Sequence, residues 1–289
     1  MTIEILNHKT IQGMMSASGI LKHEEGFYVI GDDSPYLYSL NEDFKIISKT
    51  AIYPTSHFKN RIPKSKKPDF ETLELIENKE IITFGSGSKS PERDVFKRIS
   101  LNNLEEVKSY IITNFYDFLR NLDILKNSYL NIEAVAYRNN HLYLFNRGTN
   151  LIISFLYNEF LSYLEEDATL PDLSINSYFL PKIKGLEAGF SGATTLRDHP
   201  YLVFTASVED TPNPYDDGEI MGSFIGMIKI ENDAPSSLLK SKILPITQES
   251  LKVESVTVKE EVTLGETIIV LVTDDDLTES HIIECRMLW

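Results

Sequence analysis

Apolar and polar residues alternate along most of the chain in short runs, broken by Gly, Pro, Asn and Asp. A period of two places successive side chains on opposite faces of a strand, so the pattern predicts an all-β protein. Strands are expected at 16–21, 26–30, 36–40 and 45–52; at 70–76, 80–84, 95–101 and 107–113; and at 132–137, 141–145, 151–156 and 175–181. They continue at 186–196, 201–206, 224–230 and 242–246, and end at 253–258, 267–273 and 281–288. Two stretches depart from alternation. Apolar residues at helical spacing predict a short helix over 115–122, and 160–170 is expected to form another.

The strands fall into sets of four, and each set opens on a segment with an acidic or hydroxyl residue. These are Ala17-Ser18-Gly19-Ile20, Phe70-Glu71-Thr72-Leu73, Ile132-Glu133-Ala134-Val135, Leu186-Glu187-Ala188-Gly189 and Val253-Glu254-Ser255-Val256. From Ser18 through Glu71, Glu133 and Glu187 to Glu254 the steps are 53, 62, 54 and 67 residues. Five such repeats fill the chain as one domain over 1–289. Four strands per repeat make one blade of a β-propeller. The last set has only three strands, and the alternating segment 2–9 is one strand in excess. The expected fold is therefore a five-bladed β-propeller whose last blade is closed by the N-terminal strand, leaving no open edge.

In a propeller the innermost strands line a central channel. Residues early in each inner strand, and residues just after each second strand, converge on one end of it. The first set gives Ser18, Glu71, Glu133, Glu187 and Glu254, with Ser191 competing with Glu187 for the fourth position. Carboxylates this close either take up protons or bind a cation. Oxygen ligands of this kind suit Ca2+, or Mg2+, over zinc or copper. The second set includes Gly31-Asp32-Asp33, Gly85-Ser86-Gly87-Ser88, Asn146-Arg147-Gly148, Glu209-Asp210 and Asp274-Asp275-Asp276.

Net charge of −15 argues against a general nucleic-acid binder, so the basic residues on this face stand out. Arg61, Lys64, Lys66 and Lys67 enter the second blade, and Arg93 and Arg147 follow second strands. Lys67, Ser86, Ser88, Arg93 and Arg147 are the candidate ligands for an anionic substrate. Asp32, Asp274 or Glu133 is the candidate for orienting or deprotonating water. The loop 211–218 is expected to cover the mouth. Nucleophile elbow, zinc-protease and P-loop signatures are absent from the sequence. Cys285, the only cysteine, lies in an apolar alternating segment and reads as a buried, inert thiol. No run approaches a membrane span and no leader is seen, so a cytoplasmic location is expected.

The Ser/Glu ring, together with the Gly31-Asp32-Asp33-Ser34 turn, resembles the calcium-activated nucleotidases (apyrases) across the repeat framework. The inner-strand glutamates are also similar to those of the bacterial esterase-like phytase and SdiA-regulated propeller groups. The resemblance implies a central Ca2+ ringed by Ser18, Glu71, Glu133, Glu187 or Ser191, and Glu254. It also implies hydrolysis of a phosphoester or phosphoanhydride. The family's substrate loops have no match here. The alternative is a non-catalytic propeller that holds a ligand or protein at its mouth around a structural channel site. Glycoside hydrolysis ranks below both, because few motif positions are aromatic.

Overall fold

The computed structural model describes residues 1–55, 61–166, 168–210, 218–244, 251–274 and 279–289. Strand β1 (Thr2–Thr10) is followed by four strands of blade one: β2 (Ala17–His23), β3 (Gly26–Gly31), β4 (Tyr36–Asn41) and β5 (Ile46–Ala51). Blade two comprises β6 (Glu74–Ile76), β7 (Glu80–Phe84), β8 (Val95–Ser100) and β9 (Val107–Ile111). Helix α1 (Thr113–Arg120) leads to blade three, with β10 (Ile132–Arg138), β11 (His141–Asn146), β12 (Leu151–Leu156), helix α2 (Tyr157–Glu165) and β13 (Ser174–Ser177). A small hairpin, β14 (Lys182–Ile183) with β15 (Leu186–Glu187), precedes blade four. That blade is β16 (Gly189–Thr195), β17 (Tyr201–Asp210), β18 (Glu219–Glu231) and β19 (Ala234–Ile243). Blade five is β20 (Val253–Thr263), β21 (Glu266–Thr273) and β22 (His281–Leu288), completed by β1.

The fold is the expected five-bladed propeller. Each blade is an antiparallel sheet in sequence order, except that the outer strand of blade five is β1. Thr2 pairs with Leu288 and Thr10 with His281, so the two ends of the chain meet in one sheet. Inner strands β2, β6, β10, β16 and β20 each touch both neighbours in cyclic order, which closes the ring.

Five apolar cores sit between successive blades. One joins blades one and two through residues such as Ile30, Leu37, Ile81 and Ile99. Another joins blades five and one through Ile20, Val29, Val270 and Ile282. The largest lies between blades two and three, where the two helices fill the wedge. Phe115, Tyr116 and Leu119 of α1 and Phe160 of α2 pack there against Phe84, Phe96 and Phe155. The helical spacing read at 115–122 and 160–170 is thus a packing face. Each helix begins two or three residues earlier than expected. Among the described residues, no helix is long and apolar enough to cross a membrane.

Candidate functional site at the charged mouth of the channel

The register of the inner strands decides which residues form the ring. In blade one, Ala17 opposes Gly31 and Gly19 opposes Ile30, so Ser18 is an extra residue, a β-bulge. The same insertion falls at Glu133 in blade three, at Ser191 in blade four and at Glu254 in blade five. In blade two Phe70 bridges Gly85, while the Phe84 N–H donates to Thr72 Oγ1, which leaves Glu71 as the extra residue. A bulge re-aims one side chain out of the pleat. All five repeats therefore use one device at one position, and the ring is Ser18, Glu71, Glu133, Ser191 and Glu254.

Glu187 is not in this ring. It lies in the β14–β15 hairpin, exposed, and accepts hydrogen bonds from the Leu180 N–H at 3.1 Å and from Asn150 Nδ2 at 3.3 Å. The physical reason is the hairpin itself, which takes 182–187 out of the inner strand and starts β16 at Gly189.

The two ring serines tie neighbouring blades together. Ser18 Oγ donates to the Phe70 carbonyl at 2.5 Å, and Ser191 Oγ donates to the Val253 carbonyl at 2.6 Å. In both cases the acceptor is the residue just before the next blade's ring glutamate. The residue after each serine is glycine because the next inner strand passes close by. A Cβ on Gly192 would lie 2.6 Å from Ser255 Cα, and one on Gly19 would lie 2.9 Å from Leu73 Cβ.

Charged side chains fill the mouth in two chains of ion pairs. Across blades one and two, Lys67 bridges Asp32 and Asp69, the latter at 2.8 Å. Arg93 pairs with Asp69 and donates to Ser88 Oγ at 2.6 Å, and Ser86 Oγ donates to Asp69 at 2.6 Å. Across blades three to five, Arg147 lies 3.5 Å from Glu133 and 3.8 Å from Glu209. Lys252 completes this chain, 2.7 Å from both Glu209 and Glu254. Asn131 Nδ2 donates to Glu133 at 2.5 Å. Arg61 pairs with Asp33 at 2.5 Å and donates to Ser16 Oγ at 3.2 Å.

Of the proposed anion ligands, Arg93 is buried against Asp69, Ser86 and Ser88, and Arg147 and Lys67 are each engaged by carboxylates. Asp274 is buried beside this face, its N–H donating to the Lys252 carbonyl at 3.1 Å. Asp275, Asp276 and the loop residues 211–217 lie outside the described residues. Sequence reading missed Asp69, Lys252 and Asn131. The available signal was position: each stands two residues before a ring residue, as Ser16 does before Ser18. Gly189 holds that place in blade four, where a Cβ would collide with the Arg147 side chain.

Among the described residues, ion pairs at the mouth link Asp32, Asp69, Glu133, Glu209 and Glu254 to Lys67, Arg93, Arg147 and Lys252, and Glu71 lies beside them. Burial, reinforced by Asp69, Glu133 and Asp32, pushes the Glu71 carboxyl well above the usual range against the pull of Lys67. Glu71 makes no hydrogen bond or ion pair with a described residue. Burial also raises Glu133 and takes Glu254 up to about 8, although Arg147 and Lys252 oppose both shifts. Burial alone would raise Glu209 too, but there Arg147 and Lys252 prevail and hold it below its ordinary value. Burial likewise opposes the charge on Lys67, and Asp32, Asp69 and Glu71 overcome it. Buried carboxylates raised in this way take up protons or bind a divalent cation. Oxygens of Asp32, Asp69 and Glu71 lie within 4.8 Å of one another, and Asp32 Oδ1 is buried with no hydrogen-bond partner among the described residues.

Such a closed ring with a charged axial mouth defines a five-bladed β-propeller. The chain belongs to a family of unknown function, DUF6929, whose profile matches residues 13–287. No curated protein matches it. Among solved structures it is similar to the glutaminyl cyclase of Myxococcus xanthus, with a TM-score of 0.53 and 9% identity over 99% of this chain and 97% of that one. It is also similar to the allergen Mala s 1 of Malassezia sympodialis, with a TM-score of 0.50 and 11% identity over 96% and 92%. At these identities the likeness is one of fold. Neither match carries the nucleotidase resemblance.

Proposed function

We propose that the channel mouth is a binding site for a small anionic ligand, assisted by a divalent cation at Asp32, Asp69 and Glu71. The observation that supports it most is the carboxylate cluster of Asp32, Asp69 and Glu71, in which Glu71 makes no hydrogen bond or ion pair with a described residue. An all-oxygen donor set of this kind suits Ca2+ or Mg2+. When bound, such a cation supplies a point of attachment and polarisation for an anionic group. Lys67 now occupies two of these carboxylates, so it must release them when the cation is taken up. Its ammonium then faces the same opening and is free to meet the ligand's anionic group. Glu254, whose carboxyl burial raises to about 8, is the candidate to exchange a proton with a reacting ligand.

Thermal unfolding in EDTA, then with added Ca2+ or Mg2+, tests the reading. A stabilising shift in the parent, lost in Glu71→Gln and enlarged in Lys67→Met, is expected. No shift in the parent with either ion refutes it. Phosphate release from a panel of sugar phosphates and nucleotides, lost in Glu71→Gln, then separates a hydrolase from a binder.

The second reading is a purely structural clamp. It is favoured by the chain from Glu133 through Arg147, Glu209 and Lys252 to Glu254, which crosses three blades with every member paired. In that case protons neutralise the raised carboxyls, and stability responds to pH but not to EDTA.

A further inference from the structure

The other end of the channel holds a second cavity, of about 320 Å³, at the low end of the range for small-molecule sites. All five blades line it, through residues three or more positions beyond the ring, such as Leu21, Glu74, Tyr137, Thr194 and Thr257. At about 3.3 Å per residue its nearest lining residues stand about 10 Å along the strands from the ring. Its wall carries Lys22, Arg138 and Arg197 against Glu74 and Glu77, a net positive patch in a chain of charge −15.

Most of these charges are already used. Arg138 donates to the carbonyls of Leu196 and Arg197 at 2.5 and 3.0 Å, Lys22 is held by the Glu24 carbonyl, and Glu77 pairs with Lys79 at 2.7 Å. Arg197 differs. Its backbone N–H donates to Glu261, but its guanidinium makes no hydrogen bond or ion pair with a described residue. Thr257 Oγ1 accepts the Lys22 N–H at 3.1 Å and keeps its own proton to give, and the Thr194 hydroxyl makes no hydrogen bond with a described residue. Glu74 is half-buried between blades two and three, and its oxygens accept the N–H groups of Leu75 at 2.8 Å and Tyr137 at 3.1 Å. Burial takes its carboxyl up to about 8 despite those bonds and Arg197, so near neutral pH it adds a further O–H donor. A forked guanidinium with several hydroxyl donors and no spare ionised acceptor matches an anion that also carries hydroxyls.

We propose that this cavity binds a small hydroxylated anion, with Arg197 taking the carboxylate or phosphate and Thr257, Thr194 and Glu74 the hydroxyl groups. Calorimetric titration of the full chain with galacturonate and with glucose 1-phosphate tests this and separates the two anion types. Galactose and inorganic phosphate serve as controls lacking one half of the chemistry. At least one of the two anions is expected to bind more tightly than either control. Arg197→Ala keeps the backbone contacts and is expected to weaken binding about tenfold or more. Glu74→Gln is a second probe, and Glu71→Gln at the mouth is expected to change nothing. Failure of both anions to bind, or binding indifferent to Arg197→Ala, overturns the proposal. So does binding lost in Glu71→Gln, which would place it at the mouth.

Discussion

The ionisation of Glu254 sets burial against Lys252, and the contest has a measurable outcome. At 2.7 Å the Lys252 ammonium attracts an ionised Glu254 by about 6 kcal/mol at an effective dielectric of about 20. Burial outweighs this, and the carboxyl moves from 4.5 to about 8. A carboxyl whose folded value is raised stabilises the fold fully below the unfolded value, and that contribution is lost as pH rises through the folded value. Each unit is worth about 1.4 kcal/mol, so the full loss is at most about 5 kcal/mol, of which about 3 falls between about pH 5 and about pH 8.

Glu254→Gln mimics the protonated side chain and removes this dependence. The variant is expected to match the parent near about pH 5 and to exceed its stability by about 2–3 kcal/mol near about pH 8. Urea unfolding followed by circular dichroism, in EDTA, at a series of pH values gives the difference directly. The difference isolates Glu254 from other titrating groups, some of which act in the opposite sense. A variant that is less stable than the parent by more than about 1 kcal/mol at the alkaline end refutes the reasoning, because Glu254 would then be an ionised partner of Lys252.

The other predictions concern packing, the seam and the thiol. Gly192→Ala forces a methyl against Ser255 Cα and Thr205 Oγ1 at 2.6 Å, and is expected to lower unfolding stability by about 1–3 kcal/mol in the same urea assay. His8 Nε2 lies 2.9 Å from His281 Nδ1 across β1 and β22, and burial followed by His281 holds the His8 imidazole below its ordinary value. A base with a depressed folded value loses its stabilising effect as pH falls through the unfolded value of 6.5. His8→Gln is therefore expected to reduce the loss of stability on acidification from about pH 7 to about pH 5. Cys285 is buried, and burial followed by Glu284 pushes its thiol up to about 12. A thiol reagent is expected to label it only on a timescale set by unfolding.

The blades and their closing strand were readable because alternation and turn residues are local signals. The glutamates of blades two, three and five were readable for the same reason, since each sits between apolar neighbours at the start of a strand. Blade four misled because Leu186-Glu187-Ala188 repeats the look of Ile132-Glu133-Ala134, while the bulge that selects Ser191 is a property of pairing between strands. The ion pairs were out of reach for a related reason. Lys252 meets Glu209 and Arg147 meets Glu133 across blade boundaries, so a basic loop and an acidic loop read separately give no sign that they neutralise each other.

The pairing of Thr2 with Leu288 also fixes the order in which the molecule can be made. During synthesis β1 emerges before the other strands of the propeller, and its partner β22 after them. Blades one to four can form in turn behind it, but the ring cannot close until translation has reached β22. A contact spanning nearly the whole chain carries a large loop-closure entropy and slows folding. The composition of β1 fits a strand that must wait: Thr, Glu, Asn, His and Lys alternate with only three apolar residues, so the unpaired segment stays soluble. A nascent chain stalled short of β22 would hold four blades and an unclosed gap, with apolar surface and strand edges left uncovered.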